Sequence, residues 1–514
     1  MSNVIIKGMK TIIEKVDYNQ IDEQIIEKAG EILKQGGLVA FPTETVYGLG
    51  ANALDEKAAM KTYAAKGRPS DNPLIVHIAD VEALDAIVTH VPEKAKKVID
   101  KFWPGPLTLI FEKKDIVPMG TTGGLNTVAV RMPVHEIALA LIRAAGGYVS
   151  APSANTSGRP SPTRAAHVEE DLSGIIDMII DGGSVEIGLE SSILDVTVDP
   201  PMILRPGAIT KEMFEEVIGE VTIDQAILSD NGEAPKAPGM KYRHYAPKAQ
   251  LTIVEGNQRD VVKAIKQLAY RHKRRGNEVG IIATNETMNS YTNGIVKSIG
   301  ARSNENSIAK NLYKVLREFD EEEVSFIYSE AFDEEGIGYA IMNRLGKAAG
   351  HQVIDAKEIT KLQKYRRVLF VSNSDNCRGP MAAELLRNQD LNQEYEVGSR
   401  GMVVLFPEPA NQKAEAIMRS NQMTLAKHVA TSLTEEDLDD DTLVLTFDEK
   451  RKWKIISEFE NVKHVYTLSE YIDDEREVKS AHGQPLPVYG ENFELLRELI
   501  VKLADRLNEE GKNE

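Results

Sequence analysis

Cysteine is almost missing from this chain, because Cys377 is the single one among 514 residues. One thiol excludes a disulfide within the chain and a zinc site built from several cysteines. Long apolar runs are missing too, since none approaches the ~18 residues of a membrane span. The segment Met1 to Lys15 lacks the continuous apolar core of a signal peptide. We therefore expect a soluble cytoplasmic protein without a membrane partner.

Positive charge is in short supply. The chain has 61 lysines and arginines against 79 acidic residues, which gives a net charge of −18. Broad binding to nucleic acid needs a cationic surface, so we do not expect a large RNA-binding face. A local basic pocket is still compatible with this balance.

Size and composition predict about three domains, at ~150 residues for each. With 42% hydrophobic and 27% charged residues, the chain can bury ordinary cores. Apolar runs alternate with amphipathic stretches in three regions, and a breaker-rich segment, Gly232 to Gly239, separates the first two. We predict an α/β domain over residues 1–221, a linker over 222–248, a small Rossmann-like α/β domain over 249–356 and a parallel-sheet α/β domain over 366–514. The acidic run Asp320 to Glu323 is predicted to be solvated.

The first candidate site begins where an apolar strand, Leu38 to Phe41, stops at Pro42. The polar stretch that follows, up to Gly50, is predicted to be a loop at the edge of a site. Further on, Lys66 and Arg68 lie beside a proline turn. A hydroxyl-rich loop together with a basic turn favours a pocket for an anionic small molecule, and a nucleotide fits best.

Two side chains lie inside apolar strands. Arg131 ends the predicted strand Val128 to Met132, and a buried cation there must meet an anion, which is either a ligand or a structural carboxylate. His77 lies in the strand Leu74 to Ile78, either as a satisfied core residue or facing a ligand. Small polar groups follow other strands, in Ser150 to Gly158, Glu190 to Ser192 and Leu204 to Gly207, and allow a backbone to approach a ligand closely.

Together these motifs resemble one family. Pro-Thr-Glu-Thr, Lys-x-Arg-Pro, Val-Arg-x-Pro, Ser-x-Asn-x-Ser-Gly, Glu-Ser-Ser and Leu-Arg-Pro-Gly occur in the order seen in the twisted, mixed α/β YrdC-type domain of threonylcarbamoyl-AMP synthases. The segments Pro238 to Pro247 and Tyr339 to Leu345 resemble the long, two-domain form. The resemblance covers about Asp17 to Asp355.

The resemblance implies a reaction in which L-threonine, bicarbonate and ATP give threonylcarbamoyl-adenylate and pyrophosphate. Other proteins would then transfer the threonylcarbamoyl group to adenosine in tRNA. Mg²⁺ is expected to arrive with ATP, held by phosphates and water rather than by dedicated protein ligands. The linker is expected to fold over the pocket, with Tyr245 and Tyr242 reaching the ligand.

The resemblance also implies roles for individual residues. Arg131, Lys66 and Arg68 would be the catalytic cations, and Arg131 would bind the threonine carboxylate through two parallel hydrogen bonds. The threonine site would be formed by Thr45, His77, Arg131, Ala151 and Ser191. The ATP site would be formed by Lys66, Arg68, Asn72, Thr127, Ser153, Ser161, Arg205 and Tyr245.

The last region, from Val368 to Ala382 onward, resembles the phosphate loop of low-molecular-weight protein tyrosine phosphatases, with strand, loop and helix in order. The catalytic thiolate of that family is replaced by Ser372, and Leu486 stands where the family carries its general acid. A serine hydroxyl is a much poorer nucleophile than a low-pKa thiolate. We expect an inactive phosphatase-like domain whose Arg378 and loop amides could still bind phosphate, with Cys377 a buried structural thiol.

Two other functions compete with the synthase. The first is an RNA-binding or regulatory protein that keeps the fold without catalysis, since fold alone does not guarantee function. The second is an active phosphatase joined to a binding domain, which Ser372 and Leu486 disfavour.

Overall fold

A computed structural model describes residues 10–227, 245–360, 364–391, 393–460 and 462–510. The chain divides into two compact units, residues 1–255 with 277–354, and residues 256–276 with 355–514. Most of the predicted linker, including Tyr242, lies outside the described residues.

The first unit contains an eleven-stranded sheet in the order β1-β8-β2-β3-β7-β4-β6-β5-β9-β10-β11. Its strands are β1 Ile12–Lys15, β2 Val39–Phe41, β3 Gly48–Asn52, β4 Ile75–His77, β5 Leu107–Glu112, β6 Thr127–Arg131, β7 Val149–Ser150, β8 Met178–Asp181, β9 Ser192–Asp195, β10 Met202–Arg205 and β11 Thr222–Ile223. Neighbours pair both ways, for example β4 with β6 in parallel and β5 with β6 in antiparallel. The predicted mixed α/β sheet is therefore confirmed.

Eight helices accompany this sheet in the described residues: α1 Glu23–Lys34, α2 Glu56–Lys66, α3 Leu84–Ile87, α4 Glu93–Phe102, α5 Met119–Thr122, α6 Glu136–Ala144, α7 Ala165–Leu172 and α8 Lys211–Ile218. The Asp22 side chain caps α1 by accepting hydrogen bonds from the amides of Gln24 and Ile25. A Cβ on Gly30 would lie 2.7 Å from the Ala144 Cβ, so glycine is what lets α1 and α6 approach each other.

The stretch up to Gly50 is not the continuous loop that we predicted. The turn ends before Gly48, and strand β3 returns antiparallel to β2, with Val39 opposite Gly50. A Cβ on Gly50 would lie 2.9 Å from the Val39 carbonyl oxygen, so the glycine pattern reflects close strand packing rather than loop flexibility.

A second sheet in the same unit has the order β14-β13-β15-β12-β16. Its strands are β12 Gln250–Glu255, β13 Val279–Ala283, β14 Ile295–Ser298, β15 Phe326–Glu330 and β16 Val353–Asp355. Helix α9 Gln258–Arg274 belongs to the other compact unit, whereas α10 Glu305–Glu321 and α11 Ile337–Ala348 belong to this one. The pairings β12–β15, β13–β14 and β13–β15 are parallel, as expected of a small Rossmann-like domain.

The second sheet's helix α10 is bound to the first domain by Arg317, whose side chain is 1% exposed. Arg317 Nη2 donates to the Pro160 carbonyl at 2.6 Å and to Asp171 Oδ2 at 2.9 Å. Nearby, Asp320 is buried and accepts a hydrogen bond from the Lys248 amide at 2.7 Å. The prediction that the whole acidic run is solvated is therefore wrong for Asp320, because that residue faces the first domain.

The second compact unit contains a four-stranded parallel sheet in the order β18-β17-β19-β20. Its strands are β17 Arg367–Ser372, β18 Glu396–Gly401, β19 Thr442–Thr446 and β20 Val465–Thr467. Its further helices are α12 Ala356–Thr360, α13 Arg378–Arg387, α14 Gln412–Ser420, α15 Glu449–Glu458, α16 Leu468–Tyr471 and α17 Leu486–Glu510. Phe370, Leu386 and Leu499 lie in its core, and the predicted parallel sheet is confirmed.

We predict that Arg317→Ala strongly destabilises the first unit. The change removes one of the two arginines that pair with the buried Asp171 carboxylate, the other being Arg159, and breaking such a buried pair costs up to about 3–5 kcal/mol. Urea unfolding of the full chain, followed by far-UV circular dichroism, measures the loss. The control is Lys314→Ala on the same helix, where the half-exposed Lys314 Nζ lies 3.8 Å from Glu318; removing such a pair costs less than about 1 kcal/mol. Equal effects of the two changes would contradict the role given to Arg317.

Candidate active site

Residues at the ends of several strands of the first sheet line one cleft. Ten of the residues predicted from the sequence are among them: Thr45, Lys66, Arg68, His77, Arg131, Ala151, Ser153, Ser191, Arg205 and Tyr245. The sheet register explains part of this convergence, because the parallel pairing of β4 and β6 places His77 beside Arg131. On the other side of β6, Thr108 pairs with Arg131, and its Oγ lies 2.7 Å from Ser191 Oγ.

Arg131 is buried and meets a structural carboxylate. Its Nη2 donates to Glu44 Oε1 at 2.6 Å, and its Nη1 donates to Thr45 Oγ at 2.9 Å. Thr43 Oγ donates to the Val46 carbonyl, so the Thr45 hydroxyl is the donor in the 2.9 Å bond between the two threonines. This chain of hydrogen bonds fixes the guanidinium at the cleft wall.

Lys66 is held by backbone carbonyls. Its Nζ donates to the carbonyl of Ser153, to the Asn155 carbonyl at 2.6 Å and to Asn155 Oδ1 at 3.4 Å. Burial, and then the neighbouring Arg68, hold the Lys66 pKa well below its usual value. Lys66 therefore orients the loop of Ser153 and Asn155 as well as lining the cleft.

Arg68 and Arg205 add two further cations. Arg68 Nη2 donates to the Pro73 carbonyl at 3.1 Å, whereas its buried Nε has no partner among the described residues. Arg205 donates from Nε to the Ser191 carbonyl at 2.9 Å and from Nη2 to Ser191 Oγ at 3.0 Å. Burial lowers the pKa of each guanidinium to about 10, so both stay charged at neutral pH.

His77 is uncharged. Its Nδ1 lies 3.1 Å from the Ile75 carbonyl and donates to it in the neutral tautomer. Burial first, and then the charge of Arg131, lower the pKa of His77 to about 3. The cleft therefore offers a neutral imidazole beside its arginine.

Glu190 is the acidic residue among those that line the cleft in the described structure, and the sequence reasoning gave it no role. Its carboxylate accepts from Ser161 Oγ at 2.5 Å, Tyr313 OH at 2.8 Å and Arg344 Nε at 3.2 Å. Burial would raise its pKa, but Arg344 and Arg205 outweigh burial and hold that pKa at about 2. Glu190 is therefore ionised.

Tyr245 is buried at the cleft with a φ of 66°, which is unusual for a tyrosine. Its ring stacks on Tyr313 with centroids 5.1 Å apart, and the next amide, of Ala246, donates to the Gly158 carbonyl at 2.9 Å. The second domain therefore supplies the ring on which this part of the predicted linker packs.

Three predicted ATP residues do not line the cleft. Ser161 is buried behind it and donates to Glu190. Thr127 is the first residue of β6, opposite Glu112. Asn72 is fully buried, and neither polar atom of its side chain has a partner among the described residues.

The second unit contains the phosphatase-like loop. The buried Ser372 Oγ accepts a hydrogen bond from the Asp375 amide at 3.2 Å. The Arg378 side chain is engaged by protein groups. Its Nη1 donates to the Val478 carbonyl at 2.5 Å, and its guanidinium lies 5.1 Å from the Phe447 ring centre. Burial raises the pKa of Cys377 to about 11, so this thiol is protonated at neutral pH. Leu486 begins α17.

Neither a metal centre nor a membrane span is visible in the part of the chain that the structure describes. No group of three or more histidine, cysteine and acidic side chains is arranged there to hold a metal ion. Across the same residues, every helix is too short or too polar to cross a bilayer.

Comparison with known proteins identifies the family. Residues 31–207 match the Sua5/YciO/YrdC model, described as telomere recombination, and residues 209–350 match the C-terminal domain of threonylcarbamoyl-AMP synthase. The threonylcarbamoyl-AMP synthase of Pyrococcus abyssi is 50% identical over 344 residues, which are 67% of this chain and 99% of that protein. The chain belongs to the threonylcarbamoyl-AMP synthase family. The synthase of Bacillus subtilis is also 50% identical, over 349 residues that make up 68% of this chain and 99% of the relative.

Two further comparisons concern the first and last parts of the chain. A crystal structure of P. abyssi Sua5 complexed with L-threonine matches this member of the family with a TM-score of 0.64 and 48% identity, over 67% of this chain and 99% of that one. Residues 367–514 match the low molecular weight phosphotyrosine protein phosphatase model. Both resemblances inferred from the sequence are confirmed.

Sequence reasoning missed residues that become important only through long-range contacts. Arg159 lines the cleft and lies 2.7 Å from Glu170. Tyr313 and Arg344 reach Glu190 from the second domain of the synthase. The sequence did contain a signal for Arg344, because this residue lies in one of the motifs on which the family resemblance rests. A charged residue on a helix, however, normally predicts a solvated face, so a buried contact was not expected.

We predict that His77 contributes a pH-dependent term to stability. The unfolded imidazole takes up a proton below about pH 6.5, whereas the folded one stays neutral down to about pH 3. The contribution of the neutral His77 to the free energy of unfolding is fully present above pH 6.5. It is lost as the pH falls below that value, by up to about 1.4 kcal/mol per pH unit.

The measurement is urea unfolding of the wild type and His77→Gln at pH 7, 6 and 5. The stability advantage of the wild type should shrink as the pH falls. His90→Gln, at an exposed histidine of the same domain, is the control. A difference between wild type and His77→Gln that stays constant with pH would contradict this account.

Proposed function

We propose that the chain catalyses formation of threonylcarbamoyl-AMP and pyrophosphate from L-threonine, bicarbonate and ATP. The observation that carries this proposal is the convergence of Lys66, Arg68, Arg131 and Arg205 on one cleft in a member of the synthase family. Each of these substrates carries negative charge, and the four side chains can offset their mutual repulsion.

The chemistry needs no covalent nucleophile from the protein. The amino group of threonine is first carboxylated, and a carbamate oxygen then attacks the α-phosphate of ATP and displaces pyrophosphate. The protein contributes by positioning the reactants and by stabilising charge, as in other transfers at phosphorus. Exclusion of water protects the labile carbamate, and the buried ring of Tyr245 supports such a role for the linker.

Arg131 is proposed to hold the threonine carboxylate. Glu44 and Thr45 keep its guanidinium in one orientation, and the neutral His77 beside it adds no charge that competes for the carboxylate. Thr45, Ala151 and Ser191 complete the proposed threonine site. The P. abyssi structure with L-threonine supports threonine as the amino acid.

ATP is proposed to lie against Arg68, Lys66 and Arg205, with Ser153 and Tyr245 beside it. The buried Nε of Arg68 lacks a partner among the described residues, and a bound nucleotide would satisfy it. Asn72 belongs to the same proposed site through the resemblance, although it does not line the cleft. Thr127 and Ser161 belong to the same proposed site, Ser161 through its bond to Glu190.

Mg²⁺ is proposed to enter with ATP. Glu190 is the carboxylate among the described lining residues, and Ser161, Tyr313 and Arg344 already engage it. The cleft therefore offers no dedicated protein cage, which fits an ion held mainly by phosphates and water.

The proposed domains are those predicted from the sequence, residues 1–221, 222–248, 249–356 and 366–514. In this proposal the product passes in the cytoplasm to other proteins, which transfer the threonylcarbamoyl group to tRNA. Direct contact between this chain and tRNA stays open.

The phosphatase-like domain is proposed to be catalytically inactive. Ser372 replaces the thiolate and its hydroxyl is buried, while Cys377 is a protonated thiol at neutral pH. The exposed Leu486 cannot act as an acid. Because Arg378 is engaged by the Val478 carbonyl, binding of phosphate at this loop would require that hydrogen bond to break.

We predict that pyrophosphate release from ATP requires both threonine and bicarbonate. Arg131→Ala should lower kcat/KM for threonine by at least about 30-fold, because it removes the buried cation that is proposed to hold the threonine carboxylate. The control is Arg143→Ala, since Arg143 is exposed and pairs with the exposed Asp80. Pyrophosphate release without threonine, or an Arg131→Ala variant as active as the control, would contradict the proposal.

The phosphatase-like domain gives a separate prediction. The full chain should not hydrolyse p-nitrophenyl phosphate above the background rate, because it lacks both a thiolate and a general acid. The assay compares the wild type with Ser372→Ala at equal concentration, and the two should be indistinguishable. Hydrolysis by the wild type that disappears in Ser372→Ala would show that the domain is active.

A further inference from the structure

Glu190 connects the cleft to the second domain through a buried network. Its carboxylate lies at the cleft and accepts from Tyr313 OH of α10 at 2.8 Å and from Arg344 Nε of α11 at 3.2 Å. Ser161 Oγ supplies the third bond at 2.5 Å. The side chains of Arg344 and Glu190 are 1% and 8% exposed, so solvent screens this pair very little.

A second buried pair, Arg317 and Asp171, also joins the two domains. Neither of these two residues lines the cleft, although Asp171 also pairs with the lining residue Arg159. Glu190 does line it, and Tyr313 also stacks on Tyr245, a second lining residue. The network therefore reaches the cleft through two lining residues, Glu190 and Tyr245. Contacts with the cleft would not be needed if the network served only to join the domains.

The network also affects the distribution of charge in the cleft. Glu190 is ionised and lines the same cleft as Arg205 and Lys66. An uncompensated carboxylate there would repel a triphosphate and would draw these cations toward itself. Arg344 supplies one positive charge to Glu190 from outside the cleft, and Tyr313 adds a neutral hydrogen bond.

We propose that Arg344 and Tyr313 are positioning residues for ATP, which hold Glu190 in a neutralised network so that Arg205 remains available to the nucleotide phosphates. This inference rests on the proposed synthase function. It gives the second domain a defined part in nucleotide binding, although neither of its two residues lines the cleft.

The decisive experiment asks whether a second substitution in the full-length enzyme reverses the effect of a first one on KM for ATP. Arg344→Met should raise KM for ATP by about tenfold or more, because it leaves Glu190 as an unpaired buried charge. Adding Glu190→Gln to that variant removes the charge and should restore most of the loss. Arg344→Lys, which keeps the charge, should stay closer to the wild type than Arg344→Met.

A matched network in the same domain serves as the control. Glu330 is buried and accepts from Tyr291 OH at 2.8 Å and from Arg302 Nη2 at 2.9 Å, but none of these residues lines the cleft. Arg302→Met removes the arginine of this pair, whose side chain is 31% exposed against 1% for Arg344, and should lower the unfolding temperature while leaving KM for ATP unchanged. An equal rise of KM in Arg302→Met would show that general loss of stability explains the effect.

A milder variant keeps the inference testable if Arg344→Met does not fold. Tyr313→Phe removes one hydrogen bond to Glu190 and should raise KM for ATP more than Tyr291→Phe does. A wild type without threonine-dependent pyrophosphate release would overturn the proposed function and this inference with it. If the wild type is active, two results would overturn this inference alone. One is an unchanged KM for ATP in both Arg344→Met and Tyr313→Phe, and the other is no recovery of KM when Glu190→Gln is added to Arg344→Met.

Discussion

The constraint on which the cleft depends is the burial of several positive charges close together. Lys66, Arg131 and Arg205 are each less than 7% exposed, and a buried cation is stable only when protein groups replace its water. Carbonyls of Ser153 and Asn155 do this for Lys66, and Glu44 does it for Arg131. The same contacts hold these groups in place, so the cleft is organised for anions before any substrate arrives.

Neutralising these charges also explains why the second domain matters to the first. Glu190 offsets part of the positive charge, but a carboxylate in a cleft that is proposed to bind phosphates must itself be compensated. Arg344 provides the compensation, and Arg317 fixes the helix next to it by its bonds to Pro160 and Asp171. Two buried charged networks thus hold the second domain against the cleft, one at the lining residues and one behind them.

The core of the phosphatase-like domain does not depend on the side chains of its phosphate loop. Phe370, Leu386 and Leu499 form an ordinary core beneath the parallel sheet, and this packing does not depend on the identity of residue 372. A catalytic loop depends instead on a few side chains with specific acidities. Our proposal that this domain is inactive rests on Ser372, the protonated Cys377 and Leu486 at those positions.

By itself, the sequence determined most of the polar groups that line the cleft and which family the chain resembles, because these depend on short motifs in a given order. It also placed the main strands within a few residues, since apolar runs report local structure. Local patterns did not show that Gly48 to Asn52 forms a strand or that Asp320 is buried.

Only the tertiary structure decided which partner each charge meets. Glu190 is 123 residues from Tyr313 and 154 residues from Arg344, so no periodicity within one segment can reveal their contact. Arg131 required an anion on energetic grounds, yet the choice of Glu44 followed from the packing of β6 against the turn after β2. The physical reason is that local sequence governs the conformation of a segment, whereas the neutralisation of buried charge depends on which distant segments the fold brings together.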